Sequence, residues 1–194
     1  MIASFLQRVG VAVVAVSLSI PAVAQSIDDQ AQVCAACHGE NGIPKDKDIP
    51  VIWGQHQGYV YIQLRDYKLG TRKNEQMSPI AQSLERKEMM ALAEYFSKKP
   101  WPRLDQPQAD AATTAKALRA NVATNCTACH LNQFQGDGTV PRLAGQSADY
   151  MSKTLAQFRT RERANNPGMS DLAIATPQDD LDALVTYLAG LTLQ

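Results

Sequence analysis

The feature that most constrains this chain is a short pattern of two cysteines and a histidine that occurs twice. Cys34–His38 and Cys126–His130 both follow Cys-x-x-Cys-His and lie 92 positions apart. Other residues recur at displacements of 91 or 92 positions: Pro50 with Pro141, Gly54 with Gly145, Gln55 with Gln146, Tyr59 with Tyr150, Arg72 with Arg163, Met77 with Met169, and Tyr95 with Tyr187. The chain is therefore an internal duplication of two units of about 80 residues.

The first residues have the pattern of an export signal. Arg8 precedes the apolar run 9–20, and the small-residue segment Pro21–Ala24 follows it. This order predicts a signal peptide over 1–24, cleaved after Ala24. The run is shorter than the roughly 20 apolar residues that span a bilayer, and no later segment is apolar enough to do so. We expect an exported protein with no transmembrane segment after cleavage.

Proline spacing and helical periodicity set the domain boundaries. Lys98–Pro107 contains three prolines, which predicts an extended linker over 98–110 between domains at 25–97 and 111–194. Trp101 is expected to pack onto one domain and is assigned no chemistry. The apolar spacing predicts an all-α fold with no strands. Helices are expected over 57–69 and 148–160, from Ser26 into the first cysteine pair, over 111–123, and from near Ser83 and Thr176 onward.

Each Cys-x-x-Cys-His segment is the attachment signature of a c-type haem. Two thiols three positions apart on one helical turn can each form a thioether with a haem vinyl group, and the histidine can ligate the iron. The sequence thus predicts two covalently bound haems, held by Cys34, Cys37 and His38 and by the second cysteine pair with His130. A large cofactor also adds to the apolar core of a domain this small.

Four cysteines have three other common uses. Two pairs could share one tetrahedral zinc, but a zinc site requires neither histidine nor duplication. A thioredoxin-like redox pair needs a βαβ setting, which the pattern lacks. Two disulfides would suit an oxidising compartment, but they explain neither His38 nor His130. The duplicated motif favours haem.

The second axial ligand is expected to be methionine. Met77 and Met169 each lie 39 residues after the proximal histidine, and each is predicted to lie in a loop between helices. No other methionine recurs in both units, and His56 has Ser147 as its counterpart, so His56 is expected at the surface or in a supporting role. A thioether favours ferrous iron and fills the coordination sphere, which suits electron transfer.

Two roles are open to the tyrosine and arginine pairs. They could pack on the macrocycle or bond its propionates, or they could be ordinary core and surface residues. Composition excludes one class of partner: 19 Lys+Arg against 19 Asp+Glu give a formal net charge of zero. A nucleic-acid-binding protein would show a basic face instead.

Taken together, these residues resemble class I c-type cytochromes in tandem, most closely the dihaem cytochrome c4 family. The likeness covers nearly all of the chain after residue 24 and includes the paired P-x-x-x-G-Q segments. It implies two mostly helical domains related by a pseudo-two-fold axis, haems that exchange electrons, and a periplasmic role. It also implies these axial and attachment residues: Cys34, Cys37, His38 and Met77 for the first haem, and Cys126, Cys129, His130 and Met169 for the second. Val51–Trp53 departs from the run at Arg142–Ala144, a difference that either alters the surroundings of the first haem or marks a subfamily.

Three functions are open to a chain with two such haems. The leading hypothesis is a freestanding carrier between a quinol-oxidising complex and a terminal oxidase or reductase. The alternative is the haem subunit of a periplasmic dehydrogenase, such as one that oxidises sulfide or thiosulfate. The third, catalysis at one haem as in a peroxidase, needs an open axial position, and paired methionines argue against it. The protein is therefore expected to be an electron carrier rather than an enzyme.

Overall fold

The computed structural model describes residues 26–193, and its regular structure there is helical, with no strand among these residues. The predicted signal peptide lies outside the described residues. The helices are α1 (Ile27–His38), α2 (Gln57–Leu69), α3 (Met77–Ser83), α4 (Arg86–Ser97), α5 (Ala111–Thr124), α6 (Thr127–His130), α7 (Ala148–Arg159), α8 (Pro167–Ala175) and α9 (Gln178–Ala189). The all-α prediction is confirmed.

The two halves repeat one helix arrangement. In the first, α1 packs on α4, and α2 packs on both α3 and α4. In the second, α5 packs on α9, and α7 packs on both α8 and α9. The first and last helices of each half thus contact each other, while the middle helix supports the short helix that carries a methionine. This repeat is what the duplicated sequence predicts.

Local signals explain the helix bounds. The Ser26 hydroxyl accepts a hydrogen bond from the Asp29 backbone N–H at 3.1 Å, which satisfies a free donor in the first turn of α1. Helix α2 covers the range predicted for it, and the residue that follows its end is Gly70, whose φ of +74° suits glycine. Pro177 stands just before α9, so that helix begins one residue after the predicted proline start.

The loop prediction for the methionines is wrong. Met77 is the first residue of α3, and Met169 lies in the first turn of α8. Both helices are short, seven and nine residues, and neither has a long apolar stripe that would reveal it. Asparagine side chains start them instead. The Asn74 Oδ1 accepts from the Met77 N–H at 2.9 Å, and the Asn166 Oδ1 accepts from the Met169 N–H at 3.1 Å.

The apolar core of each half is divided. In the first half, one cluster contains Val60, Leu64, Met89 and Ala93. A second cluster contains Ala31, Leu92 and Phe96. In the second half, one cluster surrounds Val185 and Leu188 and another surrounds Leu181 and Leu184. A domain usually has one continuous apolar core. Two separate clusters in each half indicate that protein side chains alone do not form the whole core.

Two glutamines join the halves by symmetric hydrogen bonds. The Gln146 side chain accepts from the Val51 N–H at 2.9 Å and donates to the Val51 carbonyl at 3.0 Å. The Gln55 side chain accepts from the Arg142 N–H at 2.9 Å and donates to the Arg142 carbonyl at 3.1 Å. Both glutamines are buried, 3% exposed. Each glutamine side chain bonds to both the N–H and the carbonyl of one residue in the other half, as a neighbouring β-strand would. This shared role explains why the glutamine recurs.

Replacing Gln146 with leucine is expected to lower the free energy of unfolding by about 2–4 kcal/mol, because the Val51 N–H and carbonyl would lose their partners while remaining buried. Guanidinium titration of the variant measures this loss. Gln32, exposed on α1, provides the control: Gln32→Leu should change the value by less than about 0.5 kcal/mol. A loss below that limit for Gln146→Leu would show that the interface does not depend on this pair.

The linker packs against both halves. The Arg142 guanidinium lies 4.3 Å from the centre of the Trp101 ring, a cation–π contact with the second half. A Cβ at Gly54 of the first half would lie 3.0 Å from the Trp101 backbone nitrogen. The Gln106 amide nitrogen donates to the Gln146 carbonyl at 2.8 Å. The linker is therefore extended, and these contacts fix it against both halves.

Within residues 26–193, no helix combines the length and the apolar character needed to cross a bilayer.

Candidate haem sites

Each Cys-x-x-Cys-His segment lies on a helix or starts at the residue just before one, which places its three functional side chains within about one turn. Cys34, Cys37 and His38 occupy the end of α1. Cys129 and His130 lie on α6, which follows Cys126 directly. The first cysteine of each pair is half-buried, and the second is exposed. Both pairs therefore present thiols along an edge that solvent reaches, with the histidine turned inward.

Both histidines are fixed by a backbone carbonyl. The His38 Nδ1 lies 2.8 Å from the Pro50 carbonyl oxygen, and the His130 Nδ1 lies 3.0 Å from the Pro141 carbonyl oxygen. A carbonyl oxygen can only accept, so each ring carries its proton on Nδ1. The Nε2 atom is then left with a lone pair. This is the arrangement in which a neutral imidazole binds a metal.

Burial favours the neutral form of both rings. Each histidine is 6% exposed. Burial lowers the pKa of His38 and of His130 below the usual histidine range, against the smaller opposing effect of the carbonyl bond. Neutral imidazole is the form that ligates iron. The structure thus places both predicted proximal ligands in the right tautomer and protonation state.

The two methionines occupy equivalent positions. Each is half-buried and lies at the start of a short helix fixed by an asparagine. Met77 packs against the cluster of Val60, Leu64 and Met89, so its thioether lies beside the core of its half. A serine follows each methionine: the Ser78 hydroxyl accepts from the Asn74 N–H at 3.1 Å. The repeated Asn, Met and Ser residues are therefore one structural unit.

The residues present fit a covalently bound haem. Each half holds a buried imidazole with Nε2 directed away from its only hydrogen bond, two free thiols beside it, and a divided core. The alternatives fit less well. All four cysteines are free. Burial raises the pKa of the Cys34 thiol to about 11, whereas zinc binds thiolates. Within residues 26–193, no group of three or more potential ligands could hold a metal ion without a cofactor.

The tyrosine and arginine pairs separate into two groups. Tyr95 packs edge-on against Phe96, and Tyr187 packs edge-on against Phe134, which are ordinary core contacts. The other pairs meet between the halves. His56 also lies there, with Nε2 2.8 Å from the Gln135 carbonyl oxygen. His56 thus bonds to a backbone carbonyl of the other half.

Two elements of the sites were not predicted from the sequence. The first is the pair of proline carbonyls that orient the histidines. The second is the pair of glutamines whose partners lie 87 and 95 positions away along the chain. The repeated P-x-x-x-G-Q segment was the available signal for both. Its proline supplies the histidine acceptor, and its glutamine reaches across to the other half.

Comparison with known proteins gives consistent results. A family model described as Cytochrome c matches residues 115–192. Cytochrome c4 from Thiocapsa roseopersicina is 37% identical over 169 residues, covering 82% of this chain and 88% of that protein. A thiosulfate dehydrogenase electron acceptor from Stutzerimonas stutzeri is 34% identical over 172 residues, covering 83% and 80%. The structure of cytochrome c4 from Acidithiobacillus ferrooxidans matches with a TM-score of 0.74 and 31% identity, over 83% and 99%.

The repeated helix arrangement and the two Cys-x-x-Cys-His sites define a class: a dihaem class I c-type cytochrome, with a covalently bound haem c in each half. Within that class, the chain belongs to the cytochrome c4 family. Its relatives are electron-transfer cytochromes, and the family resemblance drawn from the sequence is confirmed.

Proposed function

We propose that this protein is an electron carrier that passes single electrons through two haems with histidine and methionine as axial ligands. His38 and Met77 ligate the first iron, and His130 and Met169 the second. The bound haems supply one-electron chemistry between ferrous and ferric iron. The protein performs no bond-making reaction of its own, because two filled axial positions leave no place for a substrate.

One observation carries this proposal: the ligand set is built twice, once in each half, and both sets reach the boundary between the halves. His38 is bonded to the Pro50 carbonyl, and the next residue, Val51, is bonded to Gln146 of the other half. In the same way, His130 is bonded to Pro141, and the next residue, Arg142, is bonded to Gln55. The loops that orient both imidazoles therefore meet at this boundary, which supports electron exchange between the two sites.

The chain's own residues keep each site in one geometry during electron transfer. The proline carbonyls hold the imidazoles in a single tautomer, and the asparagine caps hold the methionines at the start of α3 and α8. The glutamine pairs fix the loops that follow the histidines. Little rearrangement is needed when the iron gains or loses an electron, which is what a fast carrier requires.

We also propose the cellular setting. Residues 1–24 act as a signal peptide, domains at 25–97 and 111–194 are joined by the 98–110 linker, and the protein works in the periplasm. Its donor is a quinol-oxidising complex and its acceptor a terminal oxidase or reductase. Stopped-flow mixing of the oxidised protein with a reduced quinol-oxidising complex tests this. Reduction of both haems within milliseconds supports the proposal, and no reduction within seconds contradicts it.

A second candidate donor rests on the relatives. Two proteins named thiosulfate dehydrogenase electron acceptor match this chain, at 34% identity and at 30% identity over 187 residues. They support a role in accepting electrons from a periplasmic thiosulfate dehydrogenase. Adding thiosulfate and catalytic amounts of that enzyme to the oxidised protein distinguishes the donors. Rapid haem reduction that needs both components favours the dehydrogenase, and its absence favours the quinol-oxidising complex.

A further inference from the structure

In each half, a cationic side chain bonds to the C-terminal end of the short helix that carries the methionine. Lys68 lies in the last turn of α2, and Arg159 is the last residue of α7. They lie 91 positions apart, the displacement that also relates Arg72 to Arg163, so they are equivalent in the duplication. Both halves therefore keep a long cationic side chain at this place, although one has lysine and the other arginine.

Both cations bond to the same backbone carbonyl of the repeat. The Lys68 Nζ donates to the Leu84 carbonyl at 2.7 Å, and the Arg159 Nη2 donates to the Thr176 carbonyl. Leu84 and Thr176 are 92 positions apart, and each is the residue that directly follows its methionine helix, α3 or α8. The contact is therefore repeated in both halves at one equivalent atom.

Each cation also bonds to a carbonyl within the last turn of that helix. The Lys68 Nζ donates to the Gln82 carbonyl at 3.0 Å, and the Arg159 Nε donates to the Ala173 carbonyl at 2.8 Å. The last four carbonyls of a helix have no partner within it, and the negative end of the helix dipole lies there. A positive donor at this end therefore satisfies both the free carbonyls and the dipole.

These two cations bond to the helix end instead of to a carboxylate. Among residues 26–193, the ion pairs are formed by other lysines and arginines. Both side chains are half-buried. An exposed ion pair contributes little to stability, whereas a half-buried cation that bonds to several carbonyls is fixed in one place.

The methionine helices are short enough to depend on such contacts. Helices α3 and α8 have seven and nine residues. A helix below roughly 12–15 residues is marginal without further contacts. The buried residues are Ala81 on α3, and Ser170 and Ala173 on α8, all of them small. Packing of these side chains buries little apolar area, so the contacts at the helix ends matter more.

We propose that Lys68 and Arg159 are positioning residues that keep Met77 and Met169 on their irons. Each methionine helix is then fixed at both ends, by the asparagine at its start and by the cation at its end. Without the cation the last turn opens more often, and in so short a helix this opening reaches the methionine. This inference rests on the proposed methionine ligation, which the wild-type spectrum tests separately.

The experiment measures the rate of cyanide binding to the oxidised protein with both haems attached. At saturating cyanide, this rate is the rate at which methionine leaves the iron. Lys68→Leu should accelerate one kinetic phase about tenfold, and Arg159→Leu should accelerate the other about tenfold, because each variant loses hydrogen bonds to a charged donor. Adding Lys68→Leu to Met169→Leu assigns the phases, since only the first haem then keeps its methionine.

Two exposed cations provide matched controls. Lys87 lies on α4 and Arg119 on α5, and neither takes part in the ion pairs found among residues 26–193. Lys87→Leu and Arg119→Leu make the same charge changes and should alter neither phase by more than about twofold. Intact mass and far-UV circular dichroism should show two haems and unchanged helix content in all four variants.

Two results would overturn the proposal. One is a rate in Lys68→Leu and Arg159→Leu no higher than in the controls. The other is faster binding accompanied by the loss of helix from a whole half, because the cations would then stabilise the fold and not the methionine. A wild-type protein without the sulfur-to-iron band would contradict the proposed ligation itself. That result is seen before any variant is made, so the two failures are distinguishable.

Conservative variants keep the proposal testable if the leucine variants do not fold. Lys68→Arg keeps the charge and adds donors, so its cyanide rate should not exceed that of the wild type. Arg159→Lys keeps the charge but loses the planar fork, which also donates to the Gln178 Oε1 at 2.6 Å at the start of α9. Its second phase should be about threefold faster. An Arg159→Lys rate equal to that of the wild type would contradict a positioning role for this guanidinium.

Discussion

Replacing Met169 with leucine is expected to remove methionine ligation from the second haem while the fold is retained. Leucine has nearly the volume of methionine but no donor atom, so a half-buried position accepts it at little cost in stability. The weak long-wavelength sulfur-to-iron band of the oxidised protein should lose half of its intensity. The band should be absent from the double variant that carries both Met77→Leu and Met169→Leu. The variant haem should also bind added cyanide, because one axial position opens.

The reduction potential should fall at the same time. Axial ligands set haem potentials over about 0.8 V, and a thioether lies at the high end of that range. We expect the second haem to drop by at least about 0.1 V, with the first haem changed much less. Met90 is exposed on α4 and has no methionine counterpart in the second half. Met90→Leu is therefore the control and should leave both potentials unchanged. An unchanged band in Met169→Leu would show that another side chain ligates the second iron.

Replacing Cys34 and Cys37 together with serine is expected to remove one covalent haem and most of the first half's structure. Serine forms no thioether, and the apolar side chains of this half lie in two separate clusters. Intact-mass measurement should show one haem per chain instead of two. Far-UV circular dichroism should show a loss of helix that corresponds to α1–α4. Retention of native helicity with one haem would show that protein packing alone stabilises this half.

The equivalent double substitution in the second half tests whether that half also depends on its haem. Serine at Cys126 and Cys129 should also leave one haem, with the loss confined to α5–α9. Its spectrum should then report the first haem alone, which makes the pair of variants a way to assign each potential. If either variant loses both haems, the halves do not hold their cofactors independently.

Much of the fold followed from the sequence because the informative interactions are local. Helix α2, for example, was predicted over 57–69, which are its observed bounds. The attachment residues were predicted because their chemistry needs only one helical turn. The short helices at Met77 and Met169 were missed, since their starts depend on single asparagine hydrogen bonds rather than on a periodic pattern.

The contacts between the halves could not be predicted in the same way. The partners of Gln55 and Gln146 are backbone groups, which leave no mark in the side-chain sequence. The pairing of Arg72 with Tyr150 joins residues 78 positions apart, and nothing in their spacing requires contact. The duplication showed that these residues recur. Only the packing of one half against the other shows that these repeated residues contact each other's half.

The most direct test of the central claim is the visible spectrum of the purified protein, oxidised and reduced, with haem quantified per chain. We expect two haems per chain, both low-spin, both with the long-wavelength sulfur band, and neither changed by brief exposure to cyanide or peroxide. A high-spin component, or one haem without the sulfur band, would contradict a simple carrier and would place substrate chemistry at that iron.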